Sequence, residues 1–228
     1  MAHILLNNMK NINNILKLLT WNNQSFPIGS YSFSSGLEYA IDSEIISSGS
    51  ELYIWLKDFL KYGSLHTDAI FLTETWRLKN SNKNNIISDL NDFAISLNQS
   101  HEKLIENLEQ GKSFIKITSD AWNHKFINKN LILPIAYASS AYQENISLED
   151  TLICYLHSNL CNLLSAAIKL IPLGQTEGQQ IQIKLNKHID EEYKNIMNKD
   201  LNDIGNCSWV NDIVSMKHEN QFTRIFRT

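Results

Sequence analysis

The chain has 228 residues, with 20 Lys and Arg against 24 Asp and Glu and a formal net charge of −4. Its basic residues are dispersed, which excludes the electrostatic footprint of a nucleic-acid binder. Apolar runs such as 135–138 fall far short of the roughly 20 residues that span a bilayer. Only 3 prolines and 8 glycines interrupt the chain. An all-α fold is therefore expected, a single-domain helical bundle of roughly eight to ten helices over residues 1–228. Three cysteines without a secretion signal read as reduced thiols in a cytoplasmic protein, with no membrane association.

In chain order, Ile4, Leu5, Met9, Ile12, Ile15, Leu16 and Leu19 recur at near-helical intervals and predict a helix over 4–19. Residues 26–41 read as a turn feeding a helix. Pro27 biases Phe26 toward extended geometry, Gly29 and Gly36 admit backbone angles that other residues resist, and Leu37, Ala40 and Ile41 resume helical spacing. Ser48 caps a helix whose stripe is Leu52, Trp55, Leu56, Phe59 and Leu60. Another helix is predicted over 67–79, with Asp68 read as a cap for residues 69–79, before a polar loop at 80–85.

Residues 86–97 and 104–111 carry two further apolar faces, on consecutive helices or one bent helix. Phe114, Ile115 and Ile117 fit strand or helix, and their neighbourhood favours helix for 113–122. Pro134 opens a helix that buries Ile135, Ala138 and Tyr142. Ser147 caps the longest stripe, from Leu148 through Leu156 and Leu164 to Ile168, which predicts the central helix. Ile181, Leu185 and Ile189 favour helix over an alternating strand pattern, while residues 190–206 read as polar and broken. The apolar residues of 210–228 predict a docking tail, mobile until a partner orders it.

No phosphate-binding or dinucleotide-binding glycine loop is present, and no Ser-His-Asp order stands out, so an enzyme is not expected. Cys154, His157 and Cys161 share one helical face and are the weak metal candidates, although cysteines at such spacing are more often core residues.

Three ordered motifs carry a resemblance. They are Pro27-Ile-Gly-Ser-Tyr-Ser-Phe-Ser-Ser-Gly-Leu-Glu38, Ala166-Ala-Ile-Lys-Leu-Ile-Pro-Leu-Gly-Gln-Thr-Glu-Gly-Gln179, and Met216-Lys-His-Glu-Asn-Gln-Phe-Thr-Arg-Ile-Phe-Arg-Thr228. Together they resemble the urease accessory protein UreF family. The resemblance implies an all-helical, homodimeric, non-enzymatic chaperone without a cofactor of its own. It would assemble with UreD (also called UreH) and the GTPase UreG on apo-urease, regulate the GTPase and mature the nickel centre. His218, Glu219, Arg224, Phe226 and Arg227 match the segment that engages UreD in that family. Pro27, Gly29, Tyr31, Phe33, Gly36 and Glu38, with Pro172, Gly174, Gln175, Gly178 and Gln179, match its signature surfaces. The alternative is a direct nickel carrier using Cys154, His157 and Cys161.

Overall fold

The computed structural model describes the backbone of residues 2–205 and 208–228, and side chains from residue 12 onward. Cys207 and the side chains of Ile4, Leu5 and Met9 lie outside the described residues. Among the described residues ten α-helices follow one another: α1 (Ala2–Trp21), α2 (Leu37–Asp42), α3 (Gly49–Tyr62), α4 (Ser64–Asn80), α5 (Ile87–Ser96), α6 (His101–Trp122), α7 (Leu133–Gln143), α8 (Leu148–Leu170), α9 (Gln175–Ile196) and α10 (Trp209–His218). Short 3-10 turns cover Ser30–Ser32, Asn84–Ile86 and Leu201–Asp203, and no strand occurs among the described residues.

The helix starts follow local chemistry. Ser48 accepts from the Glu51 amide at 3.3 Å while Glu51 accepts from the Ser48 amide at 3.1 Å, closing a reciprocal cap on α3. Ser147 accepts from the Asp150 amide at 3.0 Å, and Ser100 from the Lys103 amide at 3.1 Å. The ambiguous segment 113–122 is the second half of α6, with Phe114 and Ile115 buried. Asn123, at φ 58°, turns the chain out of that helix.

Helix α8 is the centre of the fold, packed by α2, α3, α4, α7 and α9. Among the described residues it is the one helix long and apolar enough to cross a membrane by length and composition. Its apolar side chains are spent within the protein: Leu152, Tyr155, Leu156, Leu160, Leu163 and Leu164 are all buried. The same core extends to α1, α6 and α7, with Trp21 edge-on to Phe114 at 5.7 Å and to Tyr137 at 5.8 Å between ring centroids.

Two local expectations are corrected. Helix α9 continues to Ile196 through the supposedly broken stretch, because Ile189, Tyr193 and Ile196 extend its buried stripe. Asp68 does not cap: α4 begins at Ser64, and Asp68 lies inside it, 3.2 Å from the Lys103 ammonium. Burial alone would depress the pKa of Lys103, and the Asp68 and Glu106 carboxylates outweigh it, so that buried lysine stays charged.

Candidate partner-docking face

The first sequence motif builds a platform. Gly29 at φ 74° and Gly36 at φ 79° both take the left-handed conformation, folding Ser30–Ser32 back before α2 departs. This aims Glu38, in the first turn of α2, into the interior. Its two carboxylate oxygens accept from the amides of Ile225 at 2.7 Å and Phe226 at 2.9 Å. Ser34 adds two donors to the Thr228 carbonyl, from its amide at 2.6 Å and its hydroxyl at 2.8 Å. The Arg227 amide donates to the Ser32 carbonyl at 2.8 Å. The third motif is therefore bound to the first, almost two hundred residues earlier in the chain.

Helix α6 supplies the other wall. Glu102 accepts from the Arg224 guanidinium at 2.9 Å and lies 2.7 Å from Nδ1 of His218, whose Nε2 is 3.2 Å from Glu38. Glu219 accepts from the His101 amide at 3.0 Å, at the first residue of α6. Ser100 and Ser215 share a hydroxyl hydrogen bond at 2.7 Å, fixing α10 to the start of α6.

This inner pinning sorts the apolar residues of the segment. His218 is 0% exposed and Phe226 4%, whereas Phe222 is 104% exposed, Trp209 74% and Ile225 73%. Ile213 and Met216 extend the exposed side of α10. Beside it runs a groove of about 380 Å³ lined by Ile54, Trp55, Tyr62, Trp209 and Val210, with Glu51 and Asp58 among its polar residues.

A model of the UreF family matches residues 46–186. Proteins described as urease accessory protein UreF from Bradyrhizobium diazoefficiens and Bradyrhizobium sp. ORS 278 are each 32% identical over 94% of this chain, covering 91% and 92% of their own lengths. The chain belongs to the UreF family. A further relative with the same description, from Rhodopseudomonas palustris HaA2, is 30% identical over 94% of the chain and 93% of its own length.

Against that membership, the candidate residues fall into three groups. Glu38, His218, Glu219, Arg224, Phe226 and Arg227 are gathered in one cluster, with Arg227 over the Phe33 ring at 5.5 Å and Lys169 over the Phe226 ring at 5.9 Å. The segment expected to be mobile and to anchor a partner through Phe226 packs here against its own chain: Phe226 is buried, and Glu38 accepts from the Ile225 and Phe226 amides. Of the aromatics at the first turn, Tyr31 is exposed while Phe33 is buried and Tyr39 half-buried.

The second signature shapes the α8–α9 turn. Pro172, Gly174, Gln175 and Gln179 are exposed, while Gly178 is buried where a Cβ would press on Ile168.

The third group is the metal candidates, which the fold does not assemble into a centre. The Cys161 sulfur lies 3.6 and 3.7 Å from the two His157 ring nitrogens, and no set of three or more His, Cys, Asp or Glu capable of holding a metal occurs among the described residues. Burial pushes the Cys154 and Cys161 thiols each up to about 11 and depresses His157. Those thiols are protonated at neutral pH, so a metal would have to displace their protons to bind. Sequence reasoning missed Glu102 and Ser34 as parts of the cluster. Glu102 carries no local signal, since its partners are more than a hundred residues away.

Proposed function

We propose that the chain is a non-enzymatic scaffold of urease maturation, which docks UreD through the outer side of α10 and residues 219–228. The assembled pair then presents a surface to UreG on apo-urease, in the cytoplasm, for GTP-dependent nickel insertion. The observation that carries this reading is the exposed set Trp209, Ile213, Met216, Phe222 and Ile225, on a backbone whose Ile225 and Phe226 amides are hydrogen-bonded to Glu38 from within. Apolar area of this kind marks an interaction surface on a soluble fold. A pre-ordered backbone also lowers the entropic cost of binding. Exposed aromatics are the residue type that most often anchors such contacts.

Family membership also supports self-association. The helical stripe Ile12, Ile15, Leu16 and Leu19 is exposed along α1 and offers a self-complementary apolar side for a second copy. The test of the functional reading is co-expression of urease with its other accessory proteins, with and without this chain. Urease nickel content should fall when the chain is omitted and recover when it is restored. Equal nickel loading without it would overturn the proposal.

A further inference from the structure

His218 is buried with both ring nitrogens against carboxylate oxygens, Nδ1 on Glu102 at 2.7 Å and Nε2 on Glu38 at 3.2 Å. Both carboxylates also accept from other donors: two backbone amides on Glu38 and the Arg224 guanidinium on Glu102. A carboxylate only accepts and a neutral imidazole carries one N–H, so the imidazolium is the form of the ring that donates to both groups at once.

The charges facing this ring are Glu38 from α2, Glu102 from α6 and Arg224 from the closing segment. On its own element, Lys217 and Glu219 flank it and are exposed, with Glu219 turned to the His101 amide. Farther along α6, Lys103 is already matched by Asp68 and Glu106. Two cations and two anions balance at the centre. Loss of the His218 proton would leave an uncompensated buried negative charge and turn a lone pair toward a carboxylate.

We propose that His218 is a proton-operated latch: as imidazolium it ties α10 and residues 219–228 to α2 and α6, and on losing its proton it releases that segment. The link to partner docking rests on the reading above, whereas the latch itself does not. Burial alone would depress the His218 pKa. The hydrogen bonds and charges of Glu102 and Glu38 outweigh burial and hold it above the ordinary histidine value. A group whose folded-state pKa is raised contributes its full stability below the unfolded pKa and loses it as pH rises through the folded value. The segment is therefore tightest below the ordinary histidine pKa and loosens as pH rises through the raised folded value.

The experiment uses the full chain. Histidine ring ¹⁵N shifts report the protonation of His218 across a pH series. Hydrogen exchange, corrected for the intrinsic pH dependence of amide exchange, reports protection of residues 219–228. The expected result is an imidazolium at neutral pH and a loss of protection by at least about tenfold through the same midpoint, with α8 unaffected. Glu102→Gln should move both midpoints downward together. A neutral ring at neutral pH, or protection unchanged through the His218 titration in the unmodified chain, would overturn the latch even if the variant fails to fold. Either failure would leave UreD binding, measured separately, as a distinct question.

Discussion

Replacing Gly36 by alanine tests how the first motif sets the position of α10. Gly36 has φ 79° and ψ −4° immediately before α2. A Cβ added there would lie 2.8 Å from both the Cα and the amide nitrogen of Ser215 and 3.2 Å from the Val214 carbonyl carbon. These are backbone atoms, so no rotamer change relieves the overlap and α10 itself must move. The left-handed conformation costs an alanine about 1–2 kcal/mol, and forcing packed elements apart typically costs about 1–3 kcal/mol, giving roughly 2–5 kcal/mol for Gly36→Ala. Gly174→Ser is the control. Nothing lies within 4 Å of a Cβ there, its φ is −68°, and serine is a favoured residue at that position before α9. Urea denaturation should show the loss for Gly36→Ala and no loss for Gly174→Ser, with hydrogen exchange accelerated in α10. Stability of Gly36→Ala within about 0.5 kcal/mol of the unmodified chain, together with unchanged α10 protection, would refute the reasoning.

Two other outcomes follow from the same contacts. Phe226→Ala should destabilise the fold by about 3–5 kcal/mol, as for a buried aromatic, while Phe222→Ala should leave the denaturation midpoint unchanged because that ring touches only solvent. Glu144 joins the end of α7 to Lys17 of α1 and to His124 at 2.7 Å; burial raises its pKa, but those partners outweigh burial and depress it below the usual carboxylate value. With a depressed folded-state pKa, its contribution is present above the unfolded carboxylate pKa and lost as pH falls through the folded value, so a stability series into acid should be flatter for Glu144→Gln.

Much of the helical plan was legible because caps and stripes are local. Ser48 stands three residues before Glu51, which completes a reciprocal cap, Ser147 accepts from the Asp150 amide three residues on, and the α8 stripe holds its period for the whole length of the helix. The continuation of α9 was obscured by Glu191, Lys194 and Asn195, which form its solvent side while Tyr193 and Ile196 carry the stripe inward. Asp68 was misread because its partner Lys103 is remote in sequence, and a buried ion pair leaves no trace in either neighbourhood. The C-terminal segment shows the limit most clearly. Its apolar content was visible, yet residues 219–228 have no helical or strand period to divide it between inside and outside. The division comes from Glu38, whose motif was recognisable but whose partners, the Ile225 and Phe226 amides, were not.

If the outward side of α10 and residues 219–228 binds UreD, as proposed, a pull-down between purified components should depend on its exposed side chains. The chain carrying Phe222→Ser and Ile225→Ser should keep its circular dichroism spectrum and denaturation midpoint, because both side chains point to solvent. It should nevertheless lose UreD binding by more than about tenfold, the effect of removing aromatic and aliphatic anchors worth about 2 kcal/mol or more. Undiminished capture of UreD by this folded double variant would show that UreD binds elsewhere on the chain.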